Sequence, residues 1–381
     1  MFASLTRVSR AATTAARRTK TTDVALVGCG VPGRGMGWYH ARQIIDGEVP
    51  SAKLTDVVEP WFMGGGADGP GGAEFAAFKA EVEPKGVKFH SSIGGMAKAS
   101  GPKMAMVCTR TADMPACVGE ILDNGCSHVF LEKPGAPTVG ELERMKADAA
   151  AAGVEIFMGF NKNVTKYVTK GREALARTPG GDFTLVHHNA YKESELQECF
   201  ERNAEGMLKN MAIHELALLV TFFGVNADTL ASVTADKAYS SCQTLGGFTD
   251  FDRIGFTVET DAGAKVSVYA DRCGLSMPDG AMADGGMMYS AVTKNGIIMS
   301  RDIMPDSDLE ASVAKKAAAN PDWMPYFHLQ HDDYITLKER CCAHIAKGAK
   351  GAPEGIADIQ VAVDTLKLAE TLKPLLEKQL L

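Results

Sequence analysis

The chain has 381 residues, 45% of them apolar and 23% charged, with a net charge of −7. That length suits about two domains. No run of about 18 apolar residues exists to span a membrane, and the acid excess argues against a general nucleic-acid binder. Thirty-nine glycines beside only 7% aromatics fit an α/β protein with many tight turns better than a β-sandwich.

Residues 1–20 contain Arg7, Arg10, Arg17, Arg18 and Lys20, many Ser, Thr and Ala, and no acid. They read as a transit peptide for the mitochondrial matrix, with a plastid address, or a disordered basic tail on a cytoplasmic protein, as the alternatives. Without them the net charge becomes −12, so the basic character belongs to this segment alone. Asp23–Gly28 is a short apolar run of the kind a buried parallel strand needs. A glycine-rich turn and a helix through Trp38–Ile45 follow, then a second strand at Lys53–Glu59 and a loop over residues 63–72. Further strands are predicted at Lys103–Thr109, His128–Leu131 and Val154–Gly159, with helices at Pro115–Asn124 and Thr138–Ala152 between them. Gly153 is a helix stop. This alternation predicts a doubly wound parallel sheet over residues 21–160.

After residue 160 the pattern changes. Strands are expected at Phe183–Tyr191, Thr229–Ala235, Arg253–Glu259, Ala264–Asp271 and Met287–Thr293. Asp261-Ala262-Gly263 and Asn295-Gly296 are hairpin signals. One helix is expected over Met207–Phe223. Residues 161–381 therefore read as an α+β domain on a largely antiparallel open sheet, with a C-terminal helix available to pack on the first domain. Nine cysteines, odd in number, irregularly spaced and without a CxxC pair, read as reduced, buried thiols rather than a disulfide framework or zinc site.

Gly28-Cys29-Gly30-Val31-Pro32-Gly33 matches G-x-G-x-x-G between a strand and a helix. Glycines let the backbone turn sharply and approach a pyrophosphate, which the helix N-terminus then attracts. Glu59 ends the second strand at the distance expected of an acid that bonds the ribose hydroxyls of NAD. Its charge would repel the 2′-phosphate of NADP, although Arg34 and Arg42 keep NADP open.

Strand, helix, Glu132-Lys133-Pro134, helix, strand and Gly159-Phe160-Asn161, with the later Gly206–His214 segment, together resemble the Gfo/Idh/MocA (glucose–fructose oxidoreductase and inositol dehydrogenase) family over roughly residues 22–375. The resemblance implies a Rossmann domain, an open-sheet domain that packs against another subunit in a homo-oligomer, and NAD(P)-dependent oxidation of a sugar or polyol hydroxyl, or the reverse. It implies that Lys133 sits by the nicotinamide and the reacting oxygen, and that His214 is the acid/base. Thr109, Arg110 and Glu132 join Gly28, Gly30, Gly33, Gly37, Glu59 and Lys133 as the expected cofactor contacts. An NAD-dependent glycosidase and a non-catalytic dinucleotide-binding regulator are the other functions this fold allows.

The residue types suit the chemistry. Hydride loss from a carbinol needs a base for the hydroxyl proton, and histidine titrates near neutral pH. An ammonium beside the oxygen stabilises the developing alkoxide. Four positions depart from the family pattern. Gly37-Trp38-Tyr39-His40 comes four residues late, so Gly33 or Gly37 plays the third glycine. Arg110 stands where Pro is common. Asn210 replaces an Asp four residues before His214, where it is expected to orient that ring or bind substrate. Ala217 replaces a second Asp, and Glu215, expected on another helix face, is not taken as its substitute. Asn161, Lys162, Asn163, Tyr191 and Lys209 are the expected substrate contacts. His187 and His188 should face opposite sides of their strand. His328, His331 and Asp332 read as a solvated helix start rather than a metal site.

Overall fold

The computed structural model describes residues 20–261, 263, 265–274, 278 and 286–381, so the expected transit peptide lies, apart from Lys20, outside the described residues. The first domain contains β1 (Thr22–Val27), α1 (Met36–Ile45), β2 (Ala52–Val58), α2 (Gly72–Val82), β3 (Lys88–His90), β4 (Lys103–Val107), α3 (Met114–Asn124), β5 (His128–Leu131), α4 (Val139–Ala152) and β6 (Glu155–Met158). All strand pairs are parallel and the order is β3-β2-β1-β4-β5-β6, the doubly wound arrangement. Val24, Ala25 and Leu26 are fully buried, as strands covered on both faces require. Thr138 caps α4 with a capping box to Glu141, and Gly153 ends it in the left-handed conformation. Two elements here went unread in the sequence. The turn-rich segment leads directly into α2, which buries Phe75, Phe78 and Val82, and β3 is only three residues long.

The second domain contains α5 (Lys166–Ala176), β7 (Asp182–His188), α6 (Leu196–Arg202), α7 (Met207–Asn210), α8 (Ile213–Phe223), β8 (Leu230–Ala235), β9 (Ser241–Leu245), β10 (Phe248–Thr260), β11 (Lys265–Asp271), β12 (Met288–Lys294), β13 (Ile297–Met304), α9 (Ser307–Ala319), α10 (Pro325–Leu329), α11 (His331–Ala346) and α12 (Ile359–Leu380). Its sheet runs β13-β12-β7-β11-β10-β8, with β9 on β10. Pairing is antiparallel except β7 with β11. The intervening helices and strands carry the chain back far enough to allow that one parallel pair.

Two helices tie the domains together. The first half of α12 buries Ile359, Ala362, Val363 and Leu366 against α4 and β6 of the Rossmann domain. Its second half buries Leu368, Ala369, Leu372 and Leu376 in the core of the second domain. On the other face of the parallel sheet, α11 inserts Tyr334, Leu337, Cys341, Cys342 and Ile345 among Val24, Leu26 and Tyr39. The segment expected to be a solvated helix start is thus a core helix with apolar residues at i, i+3, i+7 and i+11. All nine cysteines are free thiols, and six of them are buried.

Asp333 in α11 is an exception to this apolar packing. It is 9% exposed and its Oδ2 has no partner. Burial, helped by neighbouring Asp332, pushes its carboxyl up to about 8. Between the ordinary carboxyl value and about 8 the folded chain holds a proton that the unfolded chain has lost, so stability falls as pH rises through that window. Asp333→Asn should therefore raise the melting temperature at pH 8.5, by about 2–4 °C per kcal/mol relieved, and change it little at pH 4.5. Thermal melts at the two pH values decide this.

Candidate active site

The glycine loop begins at the C-terminal end of β1. Gly28, Gly30 and Gly33 all have φ between +69° and +84°. Space, however, distinguishes Gly33 from Gly37. A Cβ on Gly37 would collide with the Gly28 carbonyl oxygen and stand 3.2 Å from the Cys108 Cβ, whereas one on Gly33 would meet only ordinary contacts. Gly37 therefore fills the close-packing role, and Val31–Arg34 form an inserted turn before α1. Glu59 is buried beneath this turn. Its Oε2 accepts from the backbone N–H of Cys29 (2.8 Å) and Gly30 (3.0 Å), and Oε1 from Trp61 (3.1 Å). The acid expected to face a ribose thus first holds the loop in shape. The two arginines that left NADP open are both engaged by acids: Arg34 lies 3.6 Å from Glu74, and Arg42 bonds Asp46 and Glu81.

Do these residues fit a dinucleotide? The Met36 and Gly37 N–H groups, at the start of α1, have no backbone partner. They lie where the helix dipole favours an anion. The glycine cradle and the free helix N-terminus fit a pyrophosphate, and Thr109 and Arg110 at the end of β4 continue the same groove.

Beyond that groove lies a cavity of about 660 Å³ at the C-terminal ends of β4 and β5, the place where open α/β sheets bind ligands. The Rossmann side contributes Cys108, Thr109, Arg110, Glu132 and Lys133. The second domain contributes His187 and Tyr191 from β7 and beyond, Asn210 and His214 around α7 and α8, and Tyr326 and Gln330 from the α10–α11 segment. Arg110 is 88% exposed at its side chain and bonds Asp113 at 3.0 Å.

Glu132 does not simply face the cavity. Its Oε1 bonds His40 Nε2 at 2.9 Å, and His40 Nδ1 lies 2.9 Å from Lys338 Nζ. Lys338 in turn donates to Gln43 at 2.5 Å. Burial, then the Lys338 charge, pushes His40 down to about 4, and burial pushes Lys338 down to about 7. The chain continues through Tyr39 Oη and His331 Nδ1 (2.6 Å) to Glu48 (3.0 Å). None of this was visible in sequence, although the i, i+3, i+4, i+7 spacing of Tyr334, Leu337, Lys338 and Cys341 was a readable sign of a core helix.

The cavity floor holds Lys133, Lys162, His187 and His214. Burial lowers the pKa of Lys133 against the pull of Glu132, Glu205 and Glu215. Beneath them, Glu215 is fully buried; Lys162 Nζ donates to its Oε1 at 2.5 Å and His187 Nδ1 lies 3.1 Å from Oε2. Burial alone would raise the Glu215 carboxyl, but Lys162 and His187 outweigh it and hold it well below the usual range. Glu215, set aside in the sequence, is thus the hub of the floor.

Several expected roles need correction. The helix expected over Met207–Phe223 breaks at Met211–Ala212, between α7 and α8. Asn210 and His214 therefore do not share one continuous helical face, and the Asn210 amide donates to Glu205 at 2.8 Å instead. Asn161 donates to Gln330 (2.8 Å), Asn163 to Thr221 (3.2 Å), and Lys209 pairs with Glu370 (2.7 Å). Of the substrate contacts expected, Lys162, Tyr191 and Asn210 line the cavity, and Asn161, Asn163 and Lys209 do not. His188 points to the opposite side of β7, toward Tyr239.

Fold and cavity together define a doubly wound first domain suited to a dinucleotide, joined to a second domain on a mostly antiparallel sheet. Residues 69–160 match the family model described as oxidoreductase family, NAD-binding Rossmann fold (GFO_IDH_MocA). That match lies within the nucleotide-binding domain, which is thus similar over those residues to a family described as NAD-binding. No curated protein matches the sequence. Among solved structures, a probable dehydrogenase from Thermotoga maritima has a TM-score of 0.66 at 16% identity, covering 94% of this chain and 97% of its own. Scyllo-inositol dehydrogenase from Lactobacillus casei, crystallised with NAD(H) and scyllo-inositol, has a TM-score of 0.66 at 14% identity, covering 94% and 98%. A putative myo-inositol dehydrogenase from Sinorhizobium meliloti 1021 scores 0.62 at 17%, covering 94% and 98%. At these identities the likeness is one of fold.

Gly37→Ala tests the register of the loop. The added methyl should cost at least ~1–3 kcal/mol from overpacking and abolish NADH binding in a fluorescence titration. Gly37→Ala protein that melts and binds like wild type would return the packing role to Gly33.

Proposed function

We propose that the protein is a dehydrogenase or reductase that moves a hydride between a nicotinamide cofactor and a CH–OH group of a sugar, polyol or related small hydroxy compound. The observation that carries this reading is the convergence of Lys133 with two imidazoles, His187 and His214, in one cavity that Met36 at the start of α1 also lines. When bound, the cofactor supplies the hydride acceptor or donor. The chain's own residues do the rest. Gly28–Gly37 and the α1 N-terminus hold the pyrophosphate. Lys133 places a positive charge beside the reacting oxygen, where the low local dielectric strengthens it. A pocket imidazole holds the proton. Glu59 and the engaged arginines favour NAD over NADP.

Two further parts of the reading concern setting. The edge strand β13 exposes Ile297, Ile298, Met299 and Ile303, which supports a homo-oligomer through the open sheet. The acid-free, Arg-rich first 20 residues support a mitochondrial matrix address.

Lys133→Met should lower kcat by ~10²–10³ on whichever polyol or sugar acid proves active in a screen, while leaving NADH binding within a few-fold. A variant with full activity would remove Lys133 from the reaction and defeat this assignment.

A further inference from the structure

Two histidines reach the cavity, and only one of them is built to carry a proton. His214 has a buried Nδ1 with no hydrogen-bond partner among the described residues. Its ring packs edge-on to Phe160, at 6.1 Å between centroids. The Asn210 amide that might have oriented it is turned away to Glu205. If His214 became an imidazolium, it would bury an N–H with no acceptor, between the ammonium groups of Lys133 and Lys162. Burial first, then those two charges, hold its pKa well below the usual value. An unsatisfied buried donor is costly even when neutral.

His187 is the opposite case. Its Nδ1 lies 3.1 Å from Glu215 Oε2. An ionised carboxylate only accepts, so Nδ1 must carry the hydrogen and Nε2 must present its lone pair. His187 lines the cavity with its side chain 10% exposed, and among the described residues its Nε2 has no hydrogen-bond partner. Glu215 is in turn fixed by Lys162 Nζ at 2.5 Å. A base oriented by a buried carboxylate, itself held by a third group, is the arrangement proton transfer requires.

We propose that the Glu215–His187 dyad, rather than His214, takes and returns the substrate proton in this chain, with Lys162 as the residue that positions Glu215. This rests on the oxidoreductase reading and assigns its proton carrier. In the oxidising direction the carbinol O–H gives its proton to His187 Nε2 while its C–H gives a hydride, with both electrons, to NAD⁺. The products are the carbonyl compound, NADH and an imidazolium, which releases the proton to water. Reduction runs the same steps backwards. The departure at Asn210 then loses its importance, because the carboxylate partner comes from Glu215 on α8 and the imidazole from β7.

The groups facing His187 are Lys162, Lys133, His214 and Glu215; His188, with Asp271 beside it, faces the other side of the strand. Of the four, only Glu215 favours the imidazolium. Glu215→Gln should therefore lower the His187 pKa. Since oxidation needs the neutral ring, the acid-side inflection of kcat/KM should move to lower pH.

Three variants of the full chain, His187→Asn, His214→Asn and Glu215→Gln, test this by pH–rate profiles and by ¹⁵N spectra of histidine-labelled protein. NADH binding and near-UV circular dichroism verify the fold. The expected spectrum contains a neutral imidazole with hydrogen on Nδ1 that vanishes in His187→Asn. His187→Asn should lose ~10²–10⁴ in kcat and its acid-side inflection, whereas His214→Asn should keep that inflection. If Glu215→Gln fails to fold, the wild-type tautomer and the two histidine variants still decide. The proposal is overturned if the resonance lost in His187→Asn carries its hydrogen on Nε2, or if the inflection disappears in His214→Asn instead. Should no carbinol be oxidised although NADH binds, the oxidoreductase reading fails and the proton role with it, while the tautomer still decides the dyad.

Discussion

The buried carboxylate of Glu215 is the interaction on which the rest of the site depends. It draws together α8, the end of β7 and the turn after β6, which are the three pieces of chain that meet where the two domains join. A fully buried charge without partners would be prohibitive. Lys162 and His187 together remove that cost, and Lys162 is itself only 2% exposed. Loss of Lys162 would leave the buried Glu215 carboxylate without its counter-charge.

A second buried carboxylate, Glu132, does the same work on the Rossmann side. It is tied to α1 through His40 and to α11 through Lys338. The two carboxylates bracket Lys133, one from its own strand and one from the neighbouring domain. Burial weakens the hold of Lys133 on its proton and the two acids restore part of it. The helices α11 and α12 matter here as well. Each is remote in sequence from the Rossmann strands, yet each packs on one face of that sheet, and so each fixes how the second domain presents His187 and His214 to Lys133.

The Rossmann half was readable because its signals are local. Short apolar runs, glycines at turns and a capping box are features of consecutive residues, and they placed five of the six parallel strands; β3, with three residues, offers too little pattern. The second domain was less readable where contacts are long-range. The sequence around Met211 has no Pro or Gly to announce a break in the helix, and the break follows from how α7 and α8 pack against different partners. The orientation of Glu215 was misjudged for the same reason. Its position on a helical wheel was judged relative to His214 alone, whereas its partners lie 53 residues earlier in Lys162 and 28 residues earlier in His187. Asn161, Asn163 and Lys209 were chosen for being near the right strand ends, but each satisfies a structural neighbour instead. Gly37 against Gly33 could be settled only by the approach of one backbone to another.

The charge balance of the floor bears on what it can accept. Lys133 and Lys162 interact with Glu215, and burial lowers the pKa of both lysines and of both imidazoles. Arg110 at the cavity mouth is already engaged by Asp113. A neutral hydroxyl compound disturbs the balance least on binding. In the proposed reaction the field becomes useful only as negative charge grows on the carbinol oxygen beside Lys133 and positive charge grows on an imidazole beside Glu215. Interactions that strengthen with the developing charge, rather than with the ground state, are those that lower the barrier.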